Sequence, residues 1–154
     1  MARIDRSALV PYSPDDMFAL VAAVERYPAF LPWCASASVL ARRGDGLDAL
    51  IALRFMGVEQ QFSTRNLHKP PGLIQMQLLD GPFEYLQGEW RFDAMRAAPP
   101  GEQPSVMGTR IFLMLDYAMK SGALARLFAP AFDRIAAQMM DAFLARADAL
   151  YSLR

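Results

Sequence analysis

Scarcity is the first informative feature of this sequence. Its 154 residues include a single cysteine, Cys34, and a single histidine, His68. One cysteine cannot form a disulfide within the chain, and it favours a reducing compartment. One cysteine and one histidine are too few for the usual zinc sites, and no close group of carboxylates indicates a site for a hard metal ion. We therefore expect a protein without a bound metal or other cofactor.

The sequence also has no excess of positive or negative charge and no long apolar run. The 16 Lys and Arg residues balance the 16 Asp and Glu residues, and the pI is near 6.6. Proteins that hold nucleic acid through its phosphates are usually basic, with a domain pI above about 9, so we expect no DNA partner. No run approaches the roughly 18 apolar residues of a membrane-spanning helix, and the first ten residues lack the apolar core of a signal peptide. The expectation is a soluble, cytoplasmic protein.

The chain shows no internal repeat, low-complexity tract or linker. Its weakest stretch, "RAAPPGEQPS" at 96–105, is too short to divide domains. The length is that of one domain able to bury a core. We therefore predict a single domain over residues 1–154.

Local patterns predict a strand and a short helix first. The strand ends at Pro11, and Ser13 followed by Pro14 and two aspartates is typical of a capped helix start. This helix should end before Pro28. From about residue 35 the apolar period becomes two, as in "LDALIALRF" at 47–55, which predicts about six antiparallel strands with one face covered.

The C-terminal segment has the period of a helix instead. Its apolar residues recur at steps of three or four from Phe128 to Leu150. Pro130 should kink this helix or begin its main segment, which we place from Ala131 to Leu150. The order is therefore α+β: a strand, a short helix, a sheet and a long helix. A twisted sheet packed on one long helix favours an apolar cavity between them, which is the usual form of a small-molecule site.

The segment "YPAFLPWC" at 27–34 is strongly apolar, yet two prolines prevent a long helix there. Its position between the first helix and the sheet suggests a cover over one mouth of such a cavity. Its aromatic residues would then face a lipid tail or a membrane interface. The alternative is that Phe30, Leu31 and Trp33 only plug the end of the core.

Three stretches resemble a known family. They read "YSPDDMFALVAAVERYPAFLPWC" at 12–34, "GPFEYLQGEWRF" at 81–92 and "FDRIAAQMMDAFLARADALY" at 132–151. Together they resemble the coenzyme Q-binding, polyketide cyclase-like branch of the START superfamily, whose bacterial members are also called ribosome-association toxins. The resemblance implies the helix-grip fold (START or Bet v 1-like), a sheet of six or seven strands wrapped around the C-terminal helix. It also implies an internal tunnel that holds a lipid such as ubiquinone.

The predicted function is non-catalytic binding of ubiquinone or a related isoprenoid, as a carrier that supports respiratory electron transport, with transient contact at the inner membrane. The expected cavity lining is Phe30, Leu31, Trp33, Phe55, Phe62, Met76, Trp90, Phe92, Leu113, Met139 and Phe143. The candidate hydrogen-bond donors to the ligand are Arg54, Gln60, Thr64 and Tyr117, and nothing in the sequence chooses among them.

Two alternatives stay open. A protein that binds the large ribosomal subunit and blocks subunit association would use basic residues, for which the candidates are Arg42, Arg43, Arg54, Arg65, His68 and Lys69. A polyketide cyclase would need an acid–base pair, for which the candidates are Glu84, Glu89 and Asp116. Glu89 should point to solvent, opposite Trp90. We predict an exposed turn for His68 and a buried, unreactive position for Cys34, and therefore no catalytic residue.

Overall fold

The computed structural model describes residues 2–153, which form an antiparallel sheet of seven strands, two α-helices and a short 3₁₀ helix. In chain order the elements are β1 (Ala2–Val10), α1 (Pro14–Ala22), the 3₁₀ helix (Val24–Ala29), β2 (Cys34–Arg43), β3 (Gly46–Phe55), β4 (Val58–Lys69), β5 (Leu73–Asp80), β6 (Phe83–Ala97), β7 (Ser105–Met119) and α2 (Ala123–Tyr151). The strand order in the sheet is β1-β7-β6-β5-β4-β3-β2. The predicted α+β helix-grip fold, a curved sheet wrapped around a long C-terminal helix, is confirmed.

The start of α1 follows the predicted cap. The Ser13 hydroxyl accepts a hydrogen bond from the Asp16 amide at 3.1 Å, and Pro14 occupies the first helical turn. The end of this helical region differs from the prediction, because α1 ends at Ala22 and a 3₁₀ helix continues through Pro28. Both the Phe30 and the Leu31 amides then donate to the Tyr27 carbonyl, so the proline-rich segment keeps a tight turn geometry.

Alternation along the strands gives the sheet one covered face. On β6 the buried residues Leu86, Trp90 and Phe92 alternate with exposed Gln87 and Arg91. The same period on β3 buries one row of side chains against the rest of the core. Successive side chains of a strand point to opposite faces, so one row of each strand is available to line a cavity.

The long helix α2 packs its apolar face on the covered face of the sheet. The Phe132 ring lies 4.9 Å from Phe83 of β6 and 4.7 Å from Tyr117 of β7, between ring centroids. The helix begins at Ala123, eight residues before the predicted start of its main segment, and Pro130 lies inside it. Leu150, the last residue of the predicted apolar face, is 42% exposed, so this face is not buried to its end.

His68 does not occupy the predicted exposed turn. It lies in β4, and its ring is half-buried and meets the Phe18 ring of α1 edge-on at 5.6 Å. Its Nε2 atom is buried without a hydrogen-bond partner among the described residues. Burial lowers the pKa of this imidazole, which favours the neutral ring.

Candidate ligand-binding cavity

A cavity of about 80 Å³ lies between the covered face of the sheet and α2. Its walls come from the 3₁₀ helix and the segment after it, from strands β3 to β7, and from α2. Seven residues of the expected lining meet there: Leu31, Trp33, Phe62, Met76, Trp90, Met139 and Phe143. Sites for drug-sized ligands usually have about 300–1,000 Å³, so this cavity is smaller than such sites.

The other four residues of the expected lining lie elsewhere. Phe30 packs behind the cavity against Tyr27 and Phe143, and Phe55 lies beneath the Arg134 guanidinium, 5.9 Å from its ring centroid. Phe92 stacks parallel to Trp90 and meets Phe18 of α1. Leu113 is buried on β7 opposite Trp90. Phe30 was expected in the lining because of its place in the segment 27–34, and the other three because they lie on strands. The covered face of the sheet is longer than the cavity.

The lining also contains residues that the prediction did not name. Ala49, Ile51 and Leu53 contribute the β3 wall, and the chain alternation in "LDALIALRF" already indicated their inward face. Phe132 of α2 and Leu115 of β7 complete the lining. No local signal distinguished these residues from ordinary core positions, because the choice depends on how α2 sits on the sheet.

An aromatic cluster holds the proline-rich segment on α2. The Phe143 ring makes edge-on contacts with Tyr27, Phe30 and Trp90, with centroid distances of 5.3, 5.4 and 5.1 Å. The Tyr27 hydroxyl donates to the Val21 carbonyl, and burial raises the pKa of this phenol. The Arg146 guanidinium lies 5.1 Å from the Phe30 ring centroid. The segment therefore covers one side of the cavity, with Leu31 and Trp33 turned inward.

Two polar side chains interrupt the apolar lining. The Thr64 hydroxyl donates a hydrogen bond of 2.8 Å to the side-chain oxygen Oδ1 of Asn66. The two residues are 5% and 6% exposed. Of the four candidate donors, Thr64 alone lines the cavity. Arg54 pairs with Glu59 at 3.0 Å, Tyr117 donates to Asp133 at 2.5 Å, and Gln60 is half-buried outside the lining.

Acid–base chemistry has few candidates here. Among the described residues that line the cavity, only Cys34 and Tyr27 are ionisable. Burial raises the pKa of the Cys34 thiol to about 11, so this thiol stays protonated at neutral pH and is a poor nucleophile. The predicted acids lie outside the lining, and Glu89 accepts from Gln75 at 3.1 Å instead. Within residues 2–153, no group of three or more metal-ligating side chains occurs.

Carboxylates pair with most of the basic residues considered for ribosome contact. Arg42 lies 2.6 Å from Glu25, while Arg43 and Arg65 lie 2.8 and 3.0 Å from the two oxygens of Asp48. Hydrogen bonds from Arg65 and then Arg43 hold the pKa of the Asp48 carboxyl well below its usual range. A neighbouring carboxylate therefore balances the charge of each of these arginines in part. No helix of the described residues has the length and hydropathy required to cross a membrane.

Known proteins resemble the chain along its whole length. The Ribosome association toxin RatA of Escherichia coli is 35% identical over 154 residues, which are 100% of this chain and 92% of that protein. The mitochondrial Coenzyme Q-binding protein COQ10 of Drosophila melanogaster is 28% identical over 143 residues, 90% of this chain and 55% of that protein.

The same architecture occurs in an enzyme of known structure. The Zhui aromatase/cyclase from Streptomyces superimposes with a TM-score of 0.78, covering 96% of this chain and 93% of that chain at 15% identity. Identity this low supports the common fold alone. Residues 10–144 match the protein family described as polyketide cyclase/dehydrase and lipid transport. This chain therefore belongs to the polyketide cyclase/dehydrase and lipid transport family.

Proposed function

We propose that this protein binds a neutral hydrophobic molecule of the isoprenoid quinone class and carries it without changing it chemically. The observation that carries the proposal is the cavity between the sheet and α2, whose lining is apolar apart from the Thr64–Asn66 pair, Cys34 and Tyr27. Burying each methylene of a ligand tail contributes about 0.8 kcal/mol. Affinity would therefore come chiefly from the tail. The relative named as a coenzyme Q-binding protein is consistent with this ligand class.

The same lining argues against a cyclase. General acid–base catalysis needs a titratable group within hydrogen-bond reach of the substrate, with a pKa near the working pH. Burial raises the pKa of both ionisable lining residues, Cys34 and Tyr27, so both are neutral at pH 7. A carrier needs neither group to ionise.

Uptake of a quinone requires the cavity to enlarge. A volume of about 80 Å³ is well below that of sites for drug-sized ligands, which begin near about 300 Å³. Met76 and Met139 line the cavity, and their unbranched side chains readily adopt new rotamers. We propose that they move together with the cover formed by residues 27–34, while the sheet keeps its hydrogen bonds.

The test is to fill the cavity with a larger side chain and to measure the quinone that copurifies with the protein. Ala49 is 1% exposed and lines the cavity, whereas Ala52 lies on the other face of the same strand. The protein, Ala49→Leu and Ala52→Leu are purified without detergent from a quinone-producing bacterium, and organic extracts are analysed by mass spectrometry. We expect near-stoichiometric quinone in the wild type and in Ala52→Leu, and little in Ala49→Leu.

Each other outcome of this experiment has a clear meaning. Wild-type protein that is folded but yields no isoprenoid would contradict the carrier function. Equal quinone in Ala49→Leu, with urea denaturation showing that both variants fold, would contradict this cavity as the site.

Ribosome binding is the second candidate, because a relative named as a ribosome association toxin aligns with every residue of the chain. Phosphate contacts with ribosomal RNA would make the affinity fall steeply with salt. The test is cosedimentation with large ribosomal subunits at about 50 and 300 mM salt, with Arg42→Ala/Arg43→Ala as the variant and Arg126→Ala as the control. Binding that is lost in the double variant but retained in Ala49→Leu would support a ribosome function independent of the cavity. Cosedimentation of the wild type at neither salt concentration would contradict it.

A further inference from the structure

Strand β4 turns two polar side chains into an otherwise apolar wall. Thr64 and Asn66 are alternate residues of this strand, so both lie on its covered face. Thr64 pairs with Ala49 of β3 and Leu78 of β5. Asn66 pairs with Leu47 of β3 and Met76 of β5. The pair is therefore surrounded by apolar side chains on both sides.

The hydrogen bonds of this pair are incomplete. The Asn66 carbonyl oxygen accepts from Thr64, but the Asn66 Nδ2 amide donates to no group among the described residues. An amide carries two donor hydrogens, and a polar group in an apolar setting costs free energy unless it is hydrogen-bonded. Asn66 is 6% exposed and lines the cavity, so a molecule bound there can reach its side-chain amide. A partner inside the cavity would supply the missing acceptor.

We propose that Asn66, held by Thr64, forms the polar end of the ligand site and donates a hydrogen bond to a carbonyl oxygen of the bound molecule. This assignment rests on the proposed function and narrows the ligand class. Among the described lining residues there is no Lys, Arg or His, so a buried phosphate or carboxylate head group would have no counter-charge. A neutral carbonyl compound on a hydrophobic tail fits the lining, while fatty acids and phospholipid head groups do not.

Space for a ring beside Asn66 comes from its neighbours. Met76 pairs with Asn66 on one side and with Gly88 on the other. A Cβ atom at Gly88 would lie 2.7 Å from the Met76 Cε atom and 2.7 Å from the Leu115 Cδ2 atom. The glycine therefore leaves the Met76 side chain room at the wall of the cavity, and rotation of this side chain opens space next to the Asn66 amide.

The test compares two probes with the same tail. Decylubiquinone carries carbonyl oxygens, and decylbenzene carries none. Both tryptophans, Trp33 and Trp90, line the cavity, so quenching of their fluorescence reports quinone binding and competition reports decylbenzene binding. The variants are Asn66→Leu, which keeps the size and removes the amide, and Thr64→Val, which leaves the amide without its support.

We expect Asn66→Leu to weaken decylubiquinone binding about tenfold, as the loss of a buried hydrogen bond predicts, and to leave decylbenzene binding within about twofold. Thr64→Val should weaken decylubiquinone binding by a smaller factor. Urea denaturation checks that each variant is folded, and Asn66→Ala, which also removes the donor, replaces Asn66→Leu if the latter does not fold.

The outcomes separate this assignment from the proposed function. Equal losses for both probes, or no loss for either, would overturn the role of Asn66 while leaving a hydrophobic carrier intact. Failure of the wild type to bind either probe would contradict the carrier function itself.

Discussion

Replacing Phe143 with alanine is the sharpest test of how the cavity is built. The side chain is 2% exposed and lines the cavity. Its ring makes edge-on contacts with Tyr27, Phe30 and Trp90, and each such pair contributes about 0.5–1.5 kcal/mol beyond burial. A buried Phe→Ala change costs about 3–5 kcal/mol. Because three aromatic contacts are lost at once, we expect a loss of about 5 kcal/mol, from a typical total of about 5–15 kcal/mol.

The assay is urea denaturation of the wild type and two variants, with and without a ubiquinone that carries one isoprene unit. Phe128→Ala is the matched control, because Phe128 is 0% exposed on the same helix but lies outside the cavity lining. Both variants should lose stability, but the enlarged cavity belongs to Phe143→Ala alone. Ligand at about 100 times its Kd stabilises the folded state by about 2.7 kcal/mol. At one fixed ligand concentration we expect a larger gain in Phe143→Ala, whose cavity is enlarged, than in the wild type or Phe128→Ala, which keep the original lining.

Two results would refute this reasoning. A loss below about 1 kcal/mol in Phe143→Ala would mean that its ring contacts contribute little, against the usual cost of truncating a buried phenylalanine. Equal ligand stabilisation of both variants would mean that removing the Phe143 ring makes no additional room for the ligand, and that this ring does not limit the size of the cavity.

Two further predictions concern charged side chains. Arg65 and Arg43 lower the pKa of Asp48 in the folded protein. The Asp48 carboxylate therefore stabilises the fold at any pH above its unfolded-state pKa of about 3.9. This contribution is lost as the pH falls through the lower pKa of the folded state. Asp48→Asn should therefore be destabilised at pH 7 and approach wild-type stability at acidic pH in urea denaturation, unlike the exposed control Glu102→Gln; an unchanged pH profile would contradict the pairing. Arg146→Ala should lose about 0.5–1 kcal/mol because its guanidinium lies over Phe30, whereas Arg126→Ala on an exposed position of α2 should not; equal stabilities would contradict that contact.

Most of the element order could be predicted because apolar periodicity and the residues that begin or end helices and strands are local features of the sequence. Alternation in "LDALIALRF" predicted a strand, and three- and four-residue steps from Phe128 onward predicted a helix. The structure contains both elements. Ser13 and Pro14 marked the start of α1 correctly for the same reason. The boundaries were less certain at prolines. Pro28 lies inside a 3₁₀ helix and Pro130 inside α2, because each missing amide hydrogen removes one bond while neighbouring contacts hold the backbone.

The site was predictable only in part. Alternation identifies the covered face of the sheet and the helical period the apolar face of α2, and together they placed Trp90, Met76 and Phe143 where the cavity lies. It did not separate them from Phe92, which packs on α1 at one end of the same face. His68 was misplaced because "NLHKPPG" has the composition of a turn, whereas pairing with β5 extends the strand to Lys69.

The sequence by itself determined the family, the α+β order of elements, and an interior rich in aromatic and methionine side chains, since these follow from motifs and from local periodicity. The tertiary structure decided where that interior is left unfilled, because a void depends on the distance between α2 and the sheet and not on any one residue. It also decided that Thr64 and Asn66 meet inside the wall while Arg43 and Arg65 meet around Asp48 outside it. Thr64 and Asn66 are alternate residues of one strand, whereas Arg43, Asp48 and Arg65 come from three strands that only the pairing of the sheet brings together.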